Sequence, residues 1–177
     1  ALQPMPLRGH VILSHGLESG PQATKVAALA AMAESLGWTT ERPDYLDLDR
    51  ERNPARIADR LARLLDRCRA CSAPLVLGGS SMGAFISALA SLQVPVRGLF
   101  LMAPPVRIQG FAPELDAARV PTTLLHGWDD ELIPANEVVA WAQPRRDHLV
   151  LVNDTHRLAA HVEMGAALFG RFLQDLT

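Results

Sequence analysis

Residues 75–84 read Leu75-Val76-Leu77-Gly78-Gly79-Ser80-Ser81-Met82-Gly83-Ala84. Pro74 to Leu77 begins a short buried strand that breaks into Gly78-Gly79, and Ala84 onward reads as a helix carrying Met82, Phe85, Ile86 and Leu89. Between them Gly79-Ser80-Ser81-Met82-Gly83 spells G-x-S-x-G. A serine that acts as a nucleophile must project from a sharp, strained strand-to-helix turn. Glycines two residues to either side leave room for neighbouring backbone to pass. The helix that follows aims its free N–H groups at negative charge developing beside it. Of the two serines, only Ser81 has glycine at both offsets.

Outward from this turn, short apolar runs alternate with longer amphipathic ones, the pattern of parallel strands covered by helices. Strands are expected at His10–Ser14, Thr39–Arg42, Leu99–Met102, Thr122–Leu125 and His148–Val152. Helices are expected over Gln22–Leu36, from Asn53-Pro54 through Cys68, from Pro134 through Trp141, and over Val162–Leu176. Asn53 suits the cap of its helix and Pro54 the first helical position. Phe111–Ala118 reads as a short irregular or helical piece.

A serine hydroxyl needs a base to take its proton, and the base needs an acid to orient it. In a parallel sheet both belong at the C-terminal ends of later strands. One such end carries His126-Gly127-Trp128-Asp129-Asp130-Glu131-Leu132-Ile133-Pro134, and the last carries Asn153-Asp154-Thr155-His156-Arg157-Leu158. The chain order is therefore Ser81, an aspartate, then His156. Asp129 and Asp130 both stand as candidate acids. His161, at the entry to the last helix, is the alternative base. His10, His15, His126 and His148 read as structural, with His15 and His126 bracing turns at strand ends.

With these residues in place the chain resembles the α/β-hydrolase superfamily in its small, lidless bacterial serine esterase form. The likeness runs from the first strand to the last helix. Ser14-His15-Gly16-Leu17 resembles the family's oxyanion turn, and His126 to Pro134 resembles its H-G-x-x-D-x-x-V-P signature with Ile133 in place of valine. The resemblance implies Asp130 as the acid. It also implies the backbone N–H groups of Leu17 and Met82 as the donors to a tetrahedral oxyanion. The fold it implies is a three-layer α/β/α sandwich around a mainly parallel six-stranded sheet in the order 2-1-3-4-5-6. This would be a minimal core without a lid domain, one domain over residues 1–177.

The function it implies is hydrolysis of a small carboxylic ester or thioester through an acyl-enzyme on Ser81, needing no metal or organic cofactor. Thioesterase, acyltransferase or peptidase chemistry on the same triad is the nearer alternative. A non-catalytic, hydrolase-like binding module is the more distant one. The interval from Pro104 to Arg119 is short and rich in proline and glycine, poor material for a cap. An open site suits short acyl groups, with an optimum expected at acetate to butyrate. Glu18, Trp128 and Leu132 are expected to line the pocket.

Composition sets the remaining bounds. Hydrophobic residues make up 49% of the 177, enough for a sizeable core. Seventeen Lys+Arg against nineteen Asp+Glu give a net charge of −2, which argues against a nucleic-acid partner. No apolar run reaches the 18 or more residues of a membrane span. Ala1-Leu2-Gln3-Pro4-Met5-Pro6 lacks the features of a secretion signal, so a cytoplasmic location is the simplest expectation, although a leader cleaved before residue 1 would leave no trace. Cys68 and Cys71 read as ordinary reduced thiols, because no second Cys or His pair stands at ligand spacing. Arg56, Arg60, Arg63 and Arg67 form a stripe expected to be a solvated face with local pairs such as Asp59–Arg63.

Overall fold

A computed structural model describes residues 8–177; the N-terminal stretch read above for a secretion signal lies outside the described residues. Six strands form one sheet: β1 (His10–Ser14), β2 (Thr39–Glu41), β3 (Leu75–Ser80), β4 (Gly98–Met102), β5 (Thr122–Gly127) and β6 (His148–Val152). Every pairing is parallel and the order is β2-β1-β3-β4-β5-β6, as the sequence led us to expect. The helices are α1 (Thr24–Ser35), α2 (Leu46–Asp49), α3 (Arg56–Arg69), α4 (Met82–Ala90), α5 (Ala135–Arg145) and α6 (Val162–Asp175), the last entered through a 3₁₀ turn at Ala159–His161.

The period of two along each strand divides the core between the two faces of the sheet. Val11, Leu13, Val76 and Phe100 point to α1 and α6, where Val26, Leu29, Phe169 and Leu173 meet them. Ile12, Leu77, Leu101 and Leu124 point the other way, to Leu64 of α3, Phe85 of α4 and Val138 of α5. Both faces are covered, so the middle strands are buried throughout and read as continuous apolar runs. Phe100 anchors the first face, with its ring centroid 4.9 Å from that of Phe169 and 5.9 Å from that of Phe172.

Three local expectations change. β3 does not break at the glycines but continues through both to Ser80, paired with Leu13–Ser14 of β1 and Phe100–Met102 of β4; a side chain at Gly78 would meet the Phe100 carbonyl and Leu13 of those strands. α2 was not foreseen. α3 begins at Arg56, two residues beyond Pro54, with Ala55 and not Asn53 at its cap position; Asn53 Oδ1 instead accepts the Ala55 N–H at 3.0 Å in the turn that precedes the helix. The segment 111–118 is irregular. It is tied down where Trp141 Nε1 donates to Leu115 O and Leu115 N to Val106 O, each at 2.8 Å. Among the described residues there is no lid domain over the strand ends, and no helix is long and apolar enough to cross a membrane.

The chain leaves β1 toward one edge of the sheet and returns to build β3 on the other side of β1. In a parallel sheet of this kind the C-terminal ends of the strands at that reversal are where ligands bind. The expected oxyanion turn and the expected nucleophile stand side by side there, with Gly16 next to Ser81.

Candidate active site

Ser81 sits between β3 and α4 at φ 55° and ψ −115°, a conformation costly for any residue with a side chain. The flanking glycines explain how it is held. A Cβ on Gly83 would collide with the Ser14 carbonyl of β1, and one on Gly79 would strike both that carbonyl and the Gly83 backbone. Close approach of β1 to the turn therefore requires glycine at both positions.

His156 follows β6, and its Nε2 lies 3.1 Å from Ser81 Oγ. Its Nδ1 lies 2.8 Å from Asp130 Oδ2. An ionised carboxylate only accepts, so Nδ1 carries the proton and Nε2 presents its lone pair to the serine hydroxyl. The Asp130 side chain is fully buried, while His156 is 14% exposed. Asp129 makes no such contact; its N–H donates to Asp154 O at 3.0 Å. His161 is bound to Asp154 at 2.8 Å, which holds the Asp154 carboxyl below its ordinary range. Of the alternatives left open by the sequence, the structure thus brings together Ser81, His156 and Asp130.

The loops carrying the acid and the histidine are pressed against each other at Gly127, where a Cβ would overlap the Asp154 carbonyl. Trp128 N donates to Val152 O and the His156 N–H to Glu131 Oε2, at 2.8 and 3.2 Å. Lys25 of α1 reaches the Arg157 carbonyl at 2.8 Å, and burial lowers its pKa. His126 is buried, and its Nε2–H donates to Ile133 O at 2.8 Å, which braces the turn that presents Asp130.

Gly16 packs beside Ser81: a Cβ on it would lie 3.7 Å from that of the serine. Among the described residues, the N–H groups of Leu17 and Met82 donate to no protein acceptor. Met82 is the first residue of α4, where an N–H has no partner within its own helix. His15 braces this turn as expected. Its Nδ1–H donates to Gly16 O at 2.6 Å, and Nε2 accepts the Tyr45 N–H at 2.9 Å. Burial lowers its pKa, with the nearby Arg60 charge acting in the same direction.

Arg60 corrects the reading of the arginine stripe as solvated. It is 1% exposed, bound bidentately to the equally buried Asp49 at 2.7 and 2.8 Å, with Tyr45 stacked on its guanidinium. The expected Asp59–Arg63 pair does not form. Arg63 holds Asp47 at 2.7 Å and Arg67 holds Glu41 at 2.6 Å, while Arg56 takes Asp59. Cys68 and Cys71 are unpaired thiols, and burial pushes Cys68 up to about 11, away from reactive thiolate chemistry.

A cavity of about 380 Å³ opens beside the Leu17 turn and Met82. Glu18 is among the residues that line it; Trp128 and Leu132 are not, and both are well exposed. The cavity's apolar walls come from Leu48, Pro54, Ile57 and Ile108, so α2 and the start of α3 wall a half-open space beside the turn.

A family model described as an alpha/beta hydrolase domain matches residues 8–169. A protein of the alpha/beta hydrolase superfamily from Xanthomonas campestris pv. campestris is 54% identical, over 95% of this chain and 99% of its own, with a TM-score of 0.92. Est1E from Butyrivibrio proteoclasticus is 18% identical over 98% of this chain and 89% of its own, with a TM-score of 0.77. A serine hydrolase without a lid, also from Xanthomonas campestris, is 19% identical over 93% and 84%, with a TM-score of 0.66. At such identities the last two are alike in fold alone. A comparison with curated proteins gave no match. The family match over nearly the whole chain, joined by the 54% relative, shows that the chain belongs to the alpha/beta hydrolase family, and it stands among hydrolases on that ground.

Proposed function

We propose that this chain is a serine hydrolase that cleaves small carboxylic esters or thioesters through an acyl-enzyme on Ser81. One observation carries the reading: the continuous relay from Ser81 Oγ through both ring nitrogens of His156 to a buried Asp130. His156 Nε2 takes the hydroxyl proton as Oγ attacks the carbonyl carbon. The developing oxyanion lies against the N–H groups of Leu17 and Met82. His156 then returns its proton to the leaving oxygen or sulfur. Water repeats the sequence and releases the acid. Asp130 fixes the tautomer and balances the imidazolium without taking the proton itself.

The direction of the substrate follows from the same chemistry. The leaving group must face the histidine that protonates it, so the acyl chain points away from His156. The cavity lies on that side, bounded by the Leu17 turn and by no residue of the His156 loop. The acyl group of a small-molecule ester belongs there. The side of the His156 loop is left for the alcohol or thiol.

Labelling with a fluorophosphonate tests the reading, because the probe needs a serine activated in this way. Mass spectrometry should find one adduct, on the peptide containing Ser81. An unlabelled protein, or an adduct elsewhere, would overturn it.

A further inference from the structure

We infer that the buried Asp49–Arg60 pair is a positioning device that aims the Leu17 N–H at the reacting oxygen, an inference that rests on the serine hydrolase reading above. Arg60 lies on α3 and Asp49 at the end of α2, both outside the catalytic loops. Nε and Nη2 of Arg60 grip the two carboxylate oxygens of Asp49. Its remaining reach goes to the turn after β1: Nη1 donates to His15 O at 3.0 Å and Nη2 to Gly16 O at 3.2 Å. Asp49 holds the far side of the same turn, where its Oδ2 accepts the Glu18 N–H at 3.0 Å. The two ends of His15-Gly16-Leu17-Glu18 are thus fixed by one ion pair.

The peptide between Gly16 and Leu17 turns that grip into a direction. It is trans, as is every peptide bond among the described residues, so its C=O and N–H point opposite ways. Gly16 O faces Arg60, the His15 ring and Ser19. The Leu17 N–H therefore faces away from them. A carbonyl bonded to a guanidinium also polarises its own peptide, which strengthens the N–H as a donor.

Glu18 needs the restraint most. Its φ is 60°, in the left-handed region, and its carboxylate is held at 2.8 Å by Arg52, which lines the same cavity. An Asp–Arg pair at 1% exposure is a poor device for stability alone, since apolar residues of similar size often serve as well. That fact supplies the test.

The double variant Asp49→Leu/Arg60→Met removes both charges together and leaves none unpaired. Its melting temperature reports folding, and kcat and KM on p-nitrophenyl acetate report the turn, because the two-carbon acyl group stays clear of the cavity wall to which Asp49 and Arg60 also contribute. A folded double variant should lose about a hundredfold in kcat, the scale of one oxyanion donor, with KM changed less than about threefold. Arg60→Lys keeps the charge without the fork and should show the same split to a smaller extent. It carries the test if the double variant does not fold. In a crystal structure of the wild-type phosphonate adduct, the phosphoryl oxygen should accept from Leu17 N–H while Gly16 O stays on Arg60. A folded double variant or Arg60→Lys with wild-type kcat would overturn the inference, as would an adduct oxygen turned away from Leu17. Absence of any Ser81 labelling in the wild type would instead bring down the parent reading, and the clamp with it.

Discussion

Asp130 meets His156 with one oxygen only, because its other oxygen is already committed. Oδ1 accepts the N–H groups of Leu132 and Ile133 at 2.9 and 2.8 Å, while Oδ2 accepts His156 Nδ1 at 2.8 Å. The loop's own N–H groups thereby fix the carboxylate plane that the imidazole meets.

Asp130→Asn tests that arrangement. An amide that keeps its oxygen on the two N–H groups must turn its NH₂ toward Nδ1, which favours the wrong tautomer. Turnover on a p-nitrophenyl ester should fall by about 10⁴. Asp129→Asn, which leaves the relay intact, should stay within about threefold of wild type. A large loss at Asp129 with little at Asp130 would transfer the role.

His15 gives the fold an acid-sensitive point. In the unfolded chain it binds a proton near its ordinary pKa of 6.5, whereas burial lowers the folded value. Above pH 6.5 both states hold it neutral and it contributes no pH dependence. As pH drops below that value, the unfolded state binds the extra proton and stability falls until the folded pKa is passed. Urea midpoints measured from about pH 8 to about pH 5 should decline below pH 6.5. In His15→Asn the midpoint should start lower and decline less. Parallel curves for the two proteins would mean that His15 does not titrate differently on folding.

The cavity revises the expected acyl preference. The sequence argued for an optimum at acetate to butyrate on an open face. The walls supplied by Leu48, Ile57 and Ile108 now allow a longer chain to be buried. Each buried methylene contributes about 0.8 kcal/mol, roughly fourfold in kcat/KM. Efficiency should therefore rise from acetate to an optimum near hexanoate or octanoate. Beyond that length the added methylenes stay wet. Leu48→Trp, which fills the cavity from α2, should lower the octanoate value and spare acetate. A series that peaks at acetate and ignores Leu48→Trp would place the acyl group elsewhere.

The strands and the relay were legible in the sequence for a physical reason. β1 is a continuous apolar run closed by a turn, and Ser81 and His156 each follow a strand of that kind. The choice between Asp129 and Asp130 could not be made from residue types alone. It depends on which carboxylate caps Leu132 and Ile133, a matter of loop geometry. α2 escaped notice because its four residues are half acidic, and its reason to form is tertiary: Tyr45 and Asp49 are buried against Arg60. Arg60 was misread because helical periodicity counts every arginine as solvent-facing. Its partner lies eleven residues earlier on another element. The same polar-looking stretch, residues 48–57, supplies most of the cavity wall, which hid the pocket as well.

The central claim is that Ser81 is the group acylated during turnover. Steady-state kinetics of Ser81→Ala and Ser80→Ala on one p-nitrophenyl ester, beside the wild type, test it most directly. The account predicts a folded Ser81→Ala with kcat/KM reduced at least about a thousandfold, and a Ser80→Ala that keeps most of its activity. A Ser81→Ala that turns over like the wild type, or a loss confined to Ser80→Ala, would contradict it.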